Sequence, residues 1–438
     1  MQKKPQPVTA SFFLVIIVYQ CLWHFLAPLA LLRLWYKGKK ERGYRKNILE
    51  RFGFYPNDDF QQAIWVHAVS VGETRAAAPF IEQLIAKGHR VLLTHMTPTG
   101  RQTGADIFAQ QIAQHQLIQR YIPYDFCWPI SRFYRHYAPS KGVLMETEIW
   151  PSILFFARHR FPIYLINGRL SVKSSLKFAR FGKLSNTLFG MFQRILAQSE
   201  MDKEHYQLFG VQDCLVTGNL KFDVKLSAEK ILQGQQWKSV WQSRKIICAA
   251  STREGEERII ISAWKTMKSL NKPLLIIVPR HLPRVPEIEE LLKNHQISYT
   301  KRSQIKDASE LQTDILIGDT MGEMAFYLSC ADDVMMGGTL MGTGGQNLIE
   351  PLSLGKPVIL GPSTYNFAQI SQDAIAAGVA IAIQGDTEED LQTSLQKCFE
   401  NLMQNPQVLK NMAFLSQGYA ELHQGATNKT LKGLNYEK

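Results

Sequence analysis

The sequence predicts an α/β protein made of two doubly wound parallel-sheet domains, preceded by a membrane-anchoring helix. From residue 63 onward, short apolar runs alternate with helical patterns, the rhythm of parallel strands joined by crossover helices. A polar stretch over 224–244 breaks the rhythm, which restarts at 245. The 438 residues, 45% of them hydrophobic, exceed one small core and suffice for two. The expected division is an anchor with its basic flank over 1–45, an N-terminal domain over 46–223, a linker over 224–244 and a C-terminal domain over 245–438.

The anchor comes first in the chain. Between Lys4 and Arg33 no residue is charged, and the run from Phe12 to Leu32 is long enough at ~1.5 Å per residue to cross a ~30 Å hydrocarbon layer. Gln20, His24 and Pro28 interrupt it, so a spanning helix and a helix embedded partly in the interface both remain open. Trp23, Trp35 and Tyr36 suit the headgroup level. The cations Arg33, Lys37, Lys39, Lys40, Arg42, Arg45 and Lys46 outweigh Lys3 and Lys4, which puts the bulk of the chain on the cytoplasmic side. No small-residue cleavage site follows, which argues against a removed signal peptide.

The balance of 50 Lys+Arg against 38 Asp+Glu, a formal charge of +12, favours anionic partners. No long basic run with interleaved aromatics lies in the globular part, so nucleic acid is not expected among them. Six cysteines at 21, 127, 214, 248, 330 and 398 form no CxxC pair and no metal-ligand spacing, and read as reduced core residues.

The first strand series is AIWVHAV, RVLLTHM, GVLMETE, IYLINGR, RILAQSE and CLVTGNL. After the first of these, HAVSVGETRAAAPF places Glu73 where a strand gives way to a helix, with Ser70 or Thr74 as cap. A helix N-terminus favours the ionised carboxylate. Such a group can accept the proton of an attacking hydroxyl, or it simply complements the dipole. GVLMETEIWP sets Glu146 and Glu148 on one side at a strand end, where two carboxylates could bind a metal, steady a cationic transition state, or pair with a base such as Arg169. The chain contains no Asp-x-Asp. In TGNLKFD, Lys221 follows a strand next to the linker, as a compact charge for a phosphate or carboxylate or as a solvated surface lysine.

The second series runs KIICAAST, PLLIIVPR, DILIGDT, DDVMMGG and KPVILGP. PLLIIVPRHLPR ends a strand at Pro279, Arg280 and His281, where a forked guanidinium can hold a phosphate through two bonds. GDTMGEMAFYLSCAD opens a helix at Met321, Gly322 and Glu323, whose backbone N–H groups can meet a base or phosphate. The glycine-rich loop 337–345 feeds a helix beginning near Asn347, with Glu350 one turn in and able to accept from ribose hydroxyls. Two such sheets are expected to face a cleft with ligands beyond the carboxyl ends of the strands.

Eight motifs in order, HAVSVGE, THMTPTG, METEIWP, NGRLS, GNLKFD, VPRHLPR, GDTMGE and GGQNLIEP, resemble the series found in the 3-deoxy-manno-octulosonic acid (Kdo) transferases of Gram-negative bacteria. The resemblance covers almost the whole chain, with Asn219 and Gln346 as mild departures. It implies a GT-B glycosyltransferase, attached to the inner membrane, that transfers Kdo from CMP-Kdo to lipid IVA, with inversion, without metal or cofactor, in lipopolysaccharide synthesis. A monophosphate donor has no diphosphate for a divalent ion to bridge. The implied proton acceptor is Glu73, and the implied transition-state partners are Glu146 and Lys221. The implied CMP contacts are Pro279 with Arg280, Met321 to Glu323, and Asn347, Leu348, Ile349 and Glu350. Two rivals are a GT-B enzyme using a nucleoside-diphosphate sugar on another lipid and a non-catalytic, membrane-associated nucleotide sensor.

Overall fold

The computed structural model describes residues 8–241, 244–269 and 272–436, in two compact units. Residues 1–224 and 424–438 form the first unit, and 225–423 the second. The first holds seven strands, β1 (Ile64–His67), β2 (Val91–His95), β3 (Leu117–Tyr121), β4 (Lys141–Met145), β5 (Ile163–Gly168), β6 (Arg194–Ala197) and β7 (Cys214–Val216). They pair entirely in parallel, in the order β3-β2-β1-β4-β5-β6-β7. Helices cover both faces, so central strands such as Ile64–His67 are buried at every position and read as unbroken apolar runs. The strand order reverses at the β1/β4 junction, where neighbouring crossovers leave in opposite directions and open a crevice above the strand ends.

The second unit repeats the plan with β8 (Ile246–Thr252), β9 (Leu274–Pro279), β10 (Tyr299–Lys301), β11 (Ile315–Ile317), β12 (Asp333–Met336), β13 (Val358–Leu360) and β14 (Ala380–Ala382). Its order is β10-β11-β9-β8-β12-β13-β14, with the reversal at β8/β12. All the strands named from sequence are present. Three others, β3, β10 and β14, lie at sheet edges and carry no such sequence signal.

The unit boundaries differ from the expected 46–223 and 245–438 in two places. The stretch read as a linker contains a helix, Ala228–Val240, that belongs to the second unit. Its Trp237 meets Phe326 edge-on at 5.0 Å, and at Gly234 an added Cβ would sit 2.5 Å from the Phe326 carbonyl oxygen. The chain end returns to the first unit through the helix Ala426–Gly433. Leu431 and Leu434 enter the same core cluster as Ile81 and Leu84 of the helix Val71–Ala86. The Asp223 carboxylate accepts from the Gly425 and Thr427 N–H groups, satisfying the returning helix's first turn.

The anchor is one helix, Ala10–Lys40, with Pro28 inside it; Lys3 and Lys4 lie outside the described residues. Phe12 and Ile16 are buried in the first unit's core. The polar Gln20 bridges to the domain, its Nε2 donating to Ser152 Oγ (2.6 Å) and its Oε1 accepting from the Cys127 N–H (2.5 Å). Tyr19 donates to Asp125, and Trp23 stacks on Phe126 at 5.7 Å. The opposite face exposes Leu14, Ile17, Val18, Leu22 and Phe25. Of the six cysteines, all free, Cys214, Cys248 and Cys330 are buried as expected, whereas Cys21 is exposed on this helix.

Leu431 is 3% exposed, so Leu431→Ala removes apolar contacts that the returning helix makes with Val71–Ala86. The expected loss is about 2–5 kcal/mol, seen as a lower urea midpoint for the first unit. An unchanged midpoint would show that the chain end does not support that helix.

Candidate active site

Glu73 lies in the first turn of the helix Val71–Ala86, directly after β1. The Ser-x-x-Glu spacing closes as a reciprocal cap. Ser70 Oγ accepts from the Glu73 N–H (3.4 Å) while the Glu73 carboxylate accepts from the Val69 N–H (2.9 Å) and from Ser70 Oγ (3.1 Å). The carboxylate is thereby folded back over the strand end.

The expectation that the helix N-terminus would favour the ionised form is corrected here. Burial, followed by the charge of Glu146, pushes the Glu73 carboxyl up to about 8; Glu148 adds to the rise, and the Val69 N–H only partly opposes it. In a desolvated crevice with a second carboxylate beside it, ionisation costs more than one turn of dipole returns.

That second carboxylate comes from β4. The strand stops at Met145, and Glu146 turns into the left-handed region, φ 54°, rather than continuing as a strand residue. A non-glycine residue there costs on the order of 1–3 kcal/mol, a strain retained where geometry is needed. The turn aims the Glu146 carboxylate at Lys221, Oε1 to Nζ 2.7 Å, with both side chains about one-fifth exposed. Glu146 is thus paired with a cation, and Lys221 is not a solvated surface lysine.

Asn167, the first residue of the NGRLS motif but given no role of its own there, organises this pair. It is fully buried, at φ 51° near the end of β5. Its Nδ2 reaches Glu146 Oε1 at 3.5 Å, and its Oδ1 accepts from the Leu220 N–H (3.0 Å), fixing the segment that carries Lys221. Asn219 completes the hold, accepting from the Lys221 N–H and donating to Gln198. Its position as a mild departure from the family pattern therefore carries a structural duty.

Glu148 differs from Glu146. Burial raises its carboxyl to about 7, opposed by the indole N–H of Trp150, which donates to Glu148 at 2.6 Å. His67 Nε2 is 3.8 Å away, but burial holds that imidazole down to about 3, so the contact is not an ion pair.

In the second unit, the predicted residues follow β9, β11 and β12. Pro279 closes β9, and the Arg280 N–H donates to the Thr252 carbonyl, bringing the ends of β8 and β9 together. Arg280 is exposed there. His281 is held below its ordinary value by partial burial and then by Arg253, Arg280 and Arg284, and Arg253 donates to its Nε2. Arg284 is committed to Glu257 by two bonds.

The segment 321–323 departs from expectation. The helix begins at Met324, and Met321 and Gly322 form an exposed turn ahead of it, with Gly322 at φ 77°. The Glu323 side chain is occupied by Lys230 (2.9 Å), Arg302 (3.4 Å) and Thr320. Within Asn347–Glu350, Asn347 Oδ1 accepts from the Ile349 N–H and its Nδ2 donates to Glu350. Leu348 and Ile349 are buried beneath, so they hold the turn rather than offer side chains.

The glycine-rich loop is itself anchored by a residue with no motif around it. Glu256, fully buried at the start of the helix Glu256–Thr266, accepts from the N–H groups of Gly338 (2.7 Å), Leu340 (2.8 Å) and Arg253 (2.8 Å). Two loop amides that could have met an anion are therefore already used. Glu256→Ala would leave three buried N–H groups unpaired, at about 1–3 kcal/mol each. Amide hydrogen exchange should accelerate across 337–345 and Tm should fall; unchanged exchange would show that the loop does not depend on Glu256.

Residues 46–224 match the profile of a family described as 3-deoxy-D-manno-octulosonic-acid transferase (kdotransferase). The chain is 36% identical over 426 residues to a 3-deoxy-D-manno-octulosonic acid transferase of Bordetella pertussis, covering 95% of this chain and 98% of that one. It is 30% identical over 426 residues to the enzyme of the same name from Haemophilus influenzae, covering 94% and 96%. Its fold is similar to that of UDP-GlcNAc 2-epimerase from Neisseria meningitidis, with a TM-score of 0.56 and 15% identity over 86% of this chain and 100% of that one. With two parallel seven-stranded sheets, Glu73 and the Glu146–Lys221 pair at one reversal point, and identity along nearly its full length, the chain belongs to the Kdo transferase family of GT-B glycosyltransferases.

Proposed function

We propose that the chain transfers Kdo from CMP-Kdo to lipid IVA by a single inverting displacement that needs no metal ion. The observation that carries this reading is the Glu73 carboxyl, raised to about 8 beside the Glu146–Lys221 pair at the reversal point of the first sheet. A base with that proton affinity takes a proton well from a hydroxyl at the moment of attack. The acceptor oxygen forms its bond to the anomeric carbon as the bond from that carbon to the phosphate oxygen breaks. The acceptor proton passes to Glu73, and the electron pair leaves with CMP.

Positive character develops on the sugar carbon during this step, and the Glu146 carboxylate offers it a fixed negative field. Lys221 pairs with Glu146 and supplies a cation for an anionic sugar or leaving group. The second unit carries the nucleotide. Arg280, with Arg253 beside it, suits the phosphate; Pro279 shapes the strand end; the exposed Met321–Gly322 turn offers backbone groups to the base. Glu350 suits the ribose hydroxyls, positioned by Asn347 over Leu348 and Ile349. Glu323 acts through position, since its carboxylate is held by Lys230 and Arg302.

The enzyme is membrane-associated, and we infer an in-plane anchor on the cytoplasmic face of the inner membrane. Gln20 donates to and accepts from domain groups at mid-helix, so this stretch of the anchor lies on protein rather than within lipid on all sides. A second apolar surface supports attachment: Val172, Leu176 and Phe181 are exposed among Lys173, Lys177, Arg180 and Lys183.

Incubation of the purified protein with CMP-Kdo and lipid IVA, followed by mass spectrometry of the lipid, should show one or more Kdo additions, inhibited by CMP and not by UDP. An unmodified lipid, or inhibition by UDP alone, would overturn the assignment. The raised Glu73 pKa gives a second expectation. The base works only when deprotonated, so kcat/KM should climb with pH and level off above about 8. Glu73→Gln should lose about 10²–10⁴-fold in kcat and abolish that limb while binding CMP normally. Normal turnover by Glu73→Gln would remove it from the mechanism.

A further inference from the structure

The first unit contains a cavity of 340 Å³ that none of the roles above uses. Its size falls at the low end of the roughly 300–1,000 Å³ typical of ligand pockets. One wall is the anchor helix itself, through Trp23, Ala30, Arg33, Leu34 and Lys37. The opposite wall is built from segments that follow the strand ends, including Val69, Met96, Tyr124 and Trp150.

Two of these residues touch the acidic groups directly. The Val69 N–H donates to Glu73, and the Trp150 indole donates to Glu148. The cavity thus lies between the anchor and two residues that hydrogen-bond to the acidic groups of the site. Its lining is mainly apolar but includes three cations, Arg33, Lys37 and Arg51, and one carboxylate, Asp125, whose oxygens already accept from Tyr19 and from the Ser152 and Ile153 N–H groups.

Arg51 is the most informative of the three. It is 3% exposed, its Nη2 donates to the Met96 carbonyl (2.8 Å), and its guanidinium lies 4.1 Å from the centre of the Tyr121 ring. Its Nε has no hydrogen-bond partner among the described residues. A buried guanidinium with an unpaired Nε is costly unless a counter-charge lies near it. An apolar chamber that carries three cations, and whose one carboxylate is already hydrogen-bonded, is complementary to a molecule that is both acylated and phosphorylated, and to neither a plain sugar nor a nucleotide.

We propose that this cavity binds the acceptor, with an acyl chain against Trp23, Ala30 and Leu34 and a phosphate held by Arg33, Lys37 and Arg51. The proposal rests on the lipid-acceptor reading above and adds the site and its residues. It also gives the anchor helix a second role, since the segment that holds the enzyme at the membrane forms one side of the substrate pocket as well.

The test is steady-state kinetics of the full-length chain in detergent micelles, with CMP-Kdo and lipid IVA varied separately. Ala30→Trp fills the cavity from the helix side, and the double variant Arg33→Ala/Lys37→Ala removes two exposed cations. Each should raise KM for lipid IVA about tenfold or more, equivalent to about 1.4 kcal/mol, with KM for CMP-Kdo unchanged. The cation variant should also lose the preference of the wild type for phosphorylated over dephosphorylated acceptor. Wild-type KM for lipid IVA in both variants would overturn the proposal. So would weakened binding to anionic phospholipid vesicles with wild-type KM in micelles, since the cavity would then hold bulk lipid. If the wild type itself transfers no Kdo to lipid IVA, the acceptor assignment fails, and the pocket proposal fails with it; transfer by the wild type with unmoved KM in the variants rejects the pocket alone.

Discussion

Two carboxyl groups brought together in a partly dry crevice cannot both be ionised cheaply, and the first unit is arranged around that constraint. Glu146 has a cation for it, with Lys221 2.7 Å away, and Asn167 braces it. Glu73 is pushed the other way, up to about 8, first by burial and then by the anionic neighbour, and its hydrogen bonds from the Val69 N–H and Ser70 only partly oppose the rise. Two glutamates of the same chemistry thus acquire different roles from their surroundings. The sheet makes this possible: β1 and β4 are adjacent at the point where strand order reverses, so Glu73 and Glu146, far apart in sequence, emerge side by side.

The second unit uses the same architectural location for different chemistry. Its reversal lies at β8/β12, and the glycine-rich loop leaves β12 there. Here the buried carboxylate, Glu256, is committed to backbone N–H groups and serves rigidity, while the cations Arg253 and Arg280 gather at the ends of β8 and β9. The first unit thus gathers Glu73, Glu146 and Glu148 with Lys221 at its reversal point, and the second sets arginines at its strand ends, an arrangement that suits the proposed transfer, in which a hydroxyl loses a proton and a phosphate gains charge.

Much of the fold is legible in the sequence because central parallel strands are buried on both faces and appear as uninterrupted apolar runs. The edge strands show the limit of that signal. β3, Leu117–Tyr121, carries Gln119 and Arg120 among its apolar positions, and β10, Tyr299–Lys301, is three residues long with no buried side chain. Both lie toward sheet edges, where one side of the ladder is unpaired and burial is incomplete. The helix over 228–240 is hidden for a different reason: its contact with Phe326 depends on Gly234 and Trp237, too few residues to form an apolar stripe. In the site, the capping spacing of Ser70 and Glu73 can be read directly. The sign of the Glu73 shift cannot, because it depends on burial in the folded unit and then on Glu146, placed beside it only by the sheet. Asn167 and Glu256 act by bonding to backbone groups distant in sequence, which no local pattern reports.

The central claim is that burial and, next to it, the neighbouring Glu146 carboxylate raise the proton affinity of Glu73. The pH dependence of kcat/KM for Glu146→Gln, measured beside the wild type, tests it most directly. With the neighbouring charge gone, Glu73 should ionise more readily, so the rising limb should move to lower pH even though maximal activity falls. A limb that stays in place would mean that the two carboxyls do not sense one another, and the division of roles between them would be wrong.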